Sequence, residues 1–246
     1  MFNFTKEQIY IVTGASSGIG ASAAAMINSY GASVVAIGRN RNKLIYIQKT
    51  CKYPENFYIE EKDLTIDIEG LPKYITELKE KYGKFSGLVC SAGAFEICPA
   101  KAITYQDTKN LFDINYFVPV FLTKGMVDKR NNTGDNVSIV AIASVEAKLY
   151  DKGLLGYCAT KNALIASFKC IAKEYSEKNI RINTISPGYT KTPLLDKVLQ
   201  NKSMDKNNEQ LIEPEEISNF IVFLLSNNGK SFTGNDYKIS GGQFIV

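Results

Sequence analysis

The sequence predicts an α/β fold: one doubly wound parallel sheet of about seven strands, with helices on both faces. Three observations carry that expectation. Short apolar runs rich in Val and Ile alternate with stretches of helical spacing along the whole chain. The runs are uninterrupted rather than alternating apolar with polar, so both faces of each strand are buried, as in a parallel sheet. No linker rich in Pro, Gly or Ser and no internal repeat divides the 246 residues, which read as a single domain over 1–246.

The first run, 9–12, is too short for a helix and right for a buried strand. It breaks into Thr13-Gly14-Ala15-Ser16-Ser17-Gly18-Ile19-Gly20 and continues into the helix former 21–27. Strand, glycine turn and helix start set unpaired backbone N–H groups and the positive end of a helix dipole against an anion. The spacing Gly14-x-x-x-Gly18-x-Gly20 departs from the general dinucleotide fingerprint G-x-G-x-x-G. Its place after the first strand, with a βαβ pattern following, still points to nucleotide binding.

Tyr30-Gly31 stops the first helix. Strand 33–37 ends in Gly38-Arg39-Asn40, a helix covers 43–52, and strand 57–60 closes in Asp63-Leu64-Thr65. Helix 71–82 carries Leu71, Tyr74, Ile75 and Leu78 on one face, with Gly83 after it. Strand 87–90 runs into Ser91-Ala92-Gly93. A long helix covers 107–127, kinked or divided by Pro119. Strand 136–142, helix 155–177, strand 181–185 closed by Pro187-Gly188, helix 215–225 and strand 237–239 complete the order. In such Rossmann-type sheets ligands bind beyond the carboxyl ends of the strands. The residues after each strand therefore define the expected site: 14–20, Gly38-Arg39, Asp63-Leu64, 91–93, Ser144 and Pro187-Gly188.

Composition excludes several functions. The net charge of +4 is spread without a Lys/Arg-dense run, so no nucleic-acid footprint is present. The five cysteines are odd in number and form no C-x-x-C pair, which argues against a disulfide framework and against a zinc or other metal site. Buried free thiols in a reducing compartment are expected instead. No secretory signal is readable, and no apolar run approaches the roughly 18 residues of a membrane span, so a soluble cytoplasmic protein without a membrane partner is expected. The chain has no histidine. An acid–base step near neutral pH must use another side chain, which excludes Ser-His-Asp and Cys-His mechanisms.

At the end of the second strand an acidic residue would bind the ribose hydroxyls of NAD. Arg39 stands there instead, and Arg pairs with a 2′-phosphate that a carboxylate would repel. NADP(H) is thus preferred, with NAD(H) possible. Asp63 and Leu64 are placed to meet the adenine, although an Asp at a strand end is equally a turn former. For the chemistry, a phenol beside an ammonium is the remaining option, because the cation favours the phenolate. Tyr157-x-x-x-Lys161 sets the two side chains on one helix face. Tyr58/Lys62 and Tyr105/Lys109 share the spacing, but only Tyr157 follows a strand-end serine, Ser144.

This combination resembles the short-chain dehydrogenase/reductase family over nearly the whole chain, most of all its 3-oxoacyl-acyl-carrier-protein reductase type. Residues 13–20 look like the family's T-G-x-x-x-G-x-G. Ser144, Tyr157 and Lys161 match its serine and Y-x-x-x-K, and Asn115 sits where it has a catalytic asparagine. Pro187-Gly188 with Thr192 resembles its P-G-x-x-x-T, and Ser240-Gly241-Gly242 its D-G-G ending. The resemblance implies hydride transfer between NADP(H) and a carbonyl or secondary alcohol. It assigns Tyr157 the proton transfer, Ser144 the substrate oxygen, Lys161 the phenol and the nicotinamide ribose, and Asn115 a water leading from Lys161 to solvent. It also implies coenzyme contacts at Gly14, Ser16, Ser17, Gly18, Ile19, Gly20, Arg39, Asp63, Leu64, Ser91, Ala92, Gly93, Tyr157, Lys161, Pro187, Gly188, Thr190 and Thr192. The family's N-N-A-G is Cys90-Ser91-Ala92-Gly93 here, and the shorter Ser91 weakens the expected support beneath the coenzyme.

Residues 190–212, with Lys197, Gln200, Asn201, Lys202, Asp205 and Lys206, read as a substrate lid or a solvated loop. Phe117, Val118, Phe121, Leu164, Ile165 and Phe168 are candidates for a helix-pair interface, and a dimer or tetramer is expected. Beside a 3-oxoacyl thioester, small ketones, sugars and sugar nucleotides are left open as substrates, with contacts expected from the loop after Gly93, the region 145–156 and the lid. A non-catalytic NADP(H)-sensing protein is the competing reading.

Overall fold

The strand β1 (Ile9–Thr13) shows why the apolar runs are continuous. Tyr10 and Val12 enter the core on one side of the sheet, Ile9 and Ile11 the core on the other. The computed structural model describes residues 2–196 and 211–242. Along it follow α1 (Gly18–Ser29), β2 (Ser33–Gly38), α2 (Arg41–Thr50), β3 (Phe57–Glu61), α3 (Leu71–Tyr82), β4 (Phe85–Cys90) and α4 (Tyr105–Phe112). Then come α5 (Val118–Met126), β5 (Val137–Ile142), α6 (Glu146–Leu149), α7 (Leu155–Tyr175), β6 (Ile180–Pro187), α8 (Pro214–Leu225) and β7 (Asp236–Ile239).

The seven strands form one parallel sheet in the order β3-β2-β1-β4-β5-β6-β7. Ala23, Ala24 and Ile27 of α1 pack with Ile217, Ile221 and Leu224 of α8 on one face. Leu71 and Ile75 of α3, Leu122 and Met126 of α5, and Leu164 and Phe168 of α7 cover the other. The chain runs outward from β1 through β2 to β3, then returns to place β4 on the far side of β1. The connections that leave β1 and β4 therefore go to opposite faces of the sheet, α1 on one and α5 on the other, and the crevice above the paired strand ends is the place where doubly wound sheets bind ligands.

The helix expected over 107–127 is in three pieces. Between α4 and α5 lies one wide π turn, Asp113–Phe117, in which the Val118 N–H bonds the Asp113 carbonyl, five residues back. Pro119 enters in the first turn of α5. A regular helix would bond the Asn115 carbonyl to the N–H of residue 119, and proline has none. The break that Pro119 forces thus falls before it, around Asn115. Thr104 caps α4 in a reciprocal pair with Asp107, the Thr104 hydroxyl accepting the Asp107 N–H at 3.1 Å.

The interface candidates divide unevenly. Val118, Leu164, Ile165 and Phe168 are buried inside this chain and are core residues. Phe121 is partly buried, and Phe117 is 38% exposed. The apolar excess read from the sequence is mostly the core's own. Cys51, Cys90 and Cys158 are buried, and none of the five cysteines forms a disulfide. Among the described residues no helix is long and apolar enough to cross a membrane, and no metal-holding cluster is present.

Candidate active site

One cavity of about 1010 Å³ opens at the carboxyl edge of the sheet. Its wall takes Gly14, Ser16, Ser17, Gly18 and Ile19 from the first turn, Arg39 from the second, and Asp63 and Leu64 from the third. It continues through Ser91, Ala92 and Gly93 to Ser144, Tyr157, Lys161, Pro187, Gly188, Thr190 and Thr192. Two expected site residues, the coenzyme contact Gly20 and the catalytic Asn115, are not among those lining this wall. Gly20 packs against the Gly14 carbonyl, where any side chain would collide, so its part is in folding the turn.

Gly14 has φ +68°, and a Cβ there would lie 2.8 Å from the Ala92 nitrogen. Only a glycine lets the β1 and β4 loops meet this closely. Thr13 fastens the same junction: its hydroxyl oxygen accepts the Ser91 and Ala92 N–H groups, each at 3.2 Å. Support beneath the cavity floor therefore comes from Thr13 and backbone amides, and the short Ser91 side chain does not weaken it. At the start of α1 the Ser17 side chain makes no capping bond, which leaves the first-turn N–H groups to a ligand. A crevice with a glycine cradle and a bare helix N-terminus fits a dinucleotide pyrophosphate.

The far corner is basic. Arg39, Asn40 and Lys43 line the cavity where α2 begins, and no acidic residue sits in the first turn of α2. Lys43 was not singled out by sequence. A cation at a helix N-terminus opposes the dipole and marks a place kept for an anion. Asp63 accepts the Thr65 hydroxyl at 2.7 Å and its N–H at 3.0 Å, which hold the carboxyl below its usual range. Arg39 stands 3.8 Å from it. Asp63 is both turn former and part of the cavity wall.

At the opposite corner α7 brings Tyr157 and Lys161 over the end of β5. The Tyr157 hydroxyl and Ser144 share a hydrogen bond. The Lys161 ammonium donates to the Ile142 carbonyl at 2.9 Å and lies 5.6 Å from the centre of the Tyr157 ring. Phe95 packs edge-on against that ring at 4.8 Å. Burial pushes the phenol up to about 12, opposed by the Ser144 hydrogen bond. Burial also pushes the Lys161 amine down to about 8. The expected lowering of the phenol by the ammonium is not what the surroundings produce: burial is the first cause of both shifts. Tyr157 is then a protonated acid at neutral pH.

The Lys161 shift has a stability consequence. Between about pH 8 and pH 10.5 the folded chain holds fewer protons at this amine than the unfolded chain does, so its contribution to stability rises with pH through that window. Below pH 8 both states are protonated and the slope vanishes. Urea unfolding at pH 8, 9 and 10 is expected to show a steeper rise for the parent than for Lys161→Met; equal slopes would contradict it.

The Asn115 side chain is fully engaged. Its Oδ1 accepts the Ala94 N–H and its Nδ2 donates to the Ala94 carbonyl, both at 2.9 Å, and Nδ2 also reaches Thr160 at 3.3 Å. The buried amide clamps the segment after Gly93 against α7. Asn115→Ala strands both Ala94 groups and is expected to cost about 2–3 kcal/mol, read by denaturant unfolding, and to loosen coenzyme binding, read by calorimetry.

Phe95 and Glu146 in the cavity wall fall within the loop after Gly93 and the 145–156 region expected to meet the substrate, though neither was singled out, and Tyr189 was missed. Glu146 sits between Val145 and Ala147, where it reads as an ordinary polar helix position. The base of the expected lid is a short clasp: Thr190 bridges Ile212, the Lys191 N–H donates to the Ile212 carbonyl at 2.9 Å, and Lys191 pairs with Glu213. The lid residues Lys197, Gln200, Asn201, Lys202, Asp205 and Lys206 lie outside the described residues.

Comparison with known proteins gives the same family from three directions. The family model described as short chain dehydrogenase matches residues 8–203. A 3-oxoacyl-acyl-carrier-protein reductase of Rickettsia prowazekii is 30% identical over 250 residues, covering 96% of each chain. The crystal structure of a short-chain dehydrogenase/reductase described as glucose/ribitol dehydrogenase, from Brucella melitensis, superposes with a TM-score of 0.90 at 26% identity over 100% of both chains. That of L-sorbose reductase from Gluconobacter frateurii, complexed with NADPH and L-sorbose, gives 0.88 at 25% identity, also over 100% of both. With its glycine turn, its seven-stranded parallel sheet and its Tyr-x-x-x-Lys helix, this chain belongs to the short-chain dehydrogenase/reductase family, and it is an oxidoreductase of that family.

Proposed function

We propose that the chain is an NADP(H)-dependent ketoreductase, interconverting a ketone and a secondary alcohol in the cytoplasm. The observation that carries this is the meeting of Ser144, Tyr157 and Lys161 with the Gly14 turn and Arg39 in one cavity. The NADPH of the L-sorbose reductase complex supports the coenzyme, as does Arg39. When bound, the coenzyme supplies the hydride to the carbonyl carbon. Tyr157 then donates its proton to the carbonyl oxygen, and Ser144 holds that oxygen by a hydrogen bond. Lys161 offers positive charge to the phenolate left behind and a donor to the nicotinamide ribose. Asn115 is a positioning residue: it holds the 93–95 segment against α7.

The first substrate reading is a 3-oxoacyl thioester, supported by the Rickettsia relative. The second, a sugar or small hydroxylated ketone, is favoured by a buried carboxylate, Glu146, in the cavity wall. A panel of ketones and alcohols assayed with NADPH and NADH tests the reading. NADPH-dependent reduction of at least one ketone class is expected; binding of NADPH without any turnover would favour the sensing protein instead. We also infer a dimer or tetramer, with the exposed Phe117 at a contact. A monomeric mass by sedimentation at micromolar concentration would contradict that.

A further inference from the structure

Glu146 is 4% exposed and lines the cavity together with Ser144 and Tyr157. Its backbone N–H donates to the Ser144 Oγ at 3.2 Å, so the residue that would grip the substrate oxygen is tied to it directly. Tyr189, which follows Pro187-Gly188, donates its hydroxyl to the Glu146 Oε1 at 3.4 Å. The Glu146 charge is also among the causes that raise the Tyr157 phenol. An acid in the first turn of a helix is ordinary when it faces water. This one is held against the reacting groups, where it opposes the phenolate that the reaction must form. A carboxylate in the cavity wall is an acceptor that favours a ligand carrying a donor.

The chemistry of the ligand follows. A 3-oxoacyl thioester presents only acceptor oxygens near its ketone, and these repel a carboxylate. A hydroxyl on the carbon next to the ketone presents a donor beside the group that Ser144 and Tyr157 would hold. An ammonium there would meet the Lys161 charge in the same cavity. We infer that Glu146 is a specificity-determining residue that accepts a hydrogen bond from a substrate hydroxyl adjacent to the reacting carbonyl, which makes hydroxy ketones, ketoses and, in reverse, vicinal diols the preferred class. The inference rests on the ketoreductase reading of the same site and decides between its two substrate readings.

The test uses the full chain and two ligand pairs differing only by hydroxyl against methyl. Turnover with NADPH compares 1-hydroxyhexan-2-one with heptan-3-one. Calorimetry on the NADP⁺-saturated chain compares hexane-1,2-diol with heptan-3-ol. In both pairs the parent is expected to favour the hydroxylated member by about 10- to 100-fold, the range of a hydrogen bond to a charged group. Glu146→Gln is expected to shrink that ratio by about tenfold, and Glu146→Val to invert it. Using ratios cancels any general loss of activity, and NADP⁺ binding reports that each variant is folded. A parent ratio near one, or ratios unchanged in both variants, would overturn the inference. Turnover of ketones without discrimination refutes the Glu146 assignment alone. A diol preference without turnover of any ketone refutes the ketoreductase reading and leaves the Glu146 site standing.

Discussion

Tyr157→Phe is expected to lower kcat by about 10³-fold in both directions, the scale of losing a positioned acid–base group. The chain holds no histidine that could substitute. The phenol is the group that burial keeps protonated at neutral pH and that Ser144 orients. The change removes one hydroxyl and keeps the ring on Phe95, so the fold is expected to survive. Coenzyme affinity by calorimetry separates a catalytic loss from a binding loss: kcat is expected to collapse with the coenzyme Kd changed by less than about threefold. Direction adds a second signature. A phenol that burial keeps protonated at pH 7 has a proton ready for a forming alkoxide, and must first lose it before it can accept one from an alcohol. Reduction is therefore expected to be fast near neutrality, and alcohol oxidation to gain with rising pH. Undiminished turnover in the Phe variant would remove Tyr157 from the reaction.

Arg39→Glu is expected to raise the Kd and KM for NADPH by about 100-fold while changing those for NADH far less. A guanidinium–phosphate pair contributes about 1.5–3 kcal/mol, and an introduced carboxylate adds repulsion. The Arg39 side chain is 79% exposed and held only loosely by Asp63, so replacing it leaves the core untouched. Arg39→Ala isolates the attraction, with about a tenfold loss expected for NADPH. Direct binding by calorimetry reads the same preference without turnover. If Arg39→Ala leaves the NADPH/NADH ratio intact, the discrimination belongs to Lys43 or Asn40, which share the corner.

The fold was legible because most strands are short apolar runs that end at or beside a glycine, proline or serine with a reason to be there; the half-buried β3, which runs into Lys62-Asp63, is the exception. The strand–glycine–helix unit at 9–20 gave both the sheet's first strand and the cavity floor. The places that were hard to read depend on contacts distant in sequence. Asn115 is 21 residues from Ala94, and nothing local announces that its amide clamps that backbone. Thr13 reads as the last residue of a strand until Ser91 and Ala92 return 78 and 79 residues later. The spacing of Tyr157 and Lys161 foretold their shared helix face. It did not foretell that burial would shift both proton affinities against their charged forms, because desolvation depends on everything packed around them. Glu146 lay in a region expected to meet the substrate, but its burial could not be read there, because it comes from the fold around it and not from its neighbours in the chain.

The sheet's strand order has a consequence for how the molecule comes into being during synthesis. Every neighbouring pair of strands is parallel, so no hairpin can nucleate the sheet locally. As the nascent chain leaves the ribosome, β1 can dock on β2 early, but its other edge stays bare until β4 has emerged. The floor of the crevice cannot close before then, because its two halves are made about 80 residues apart.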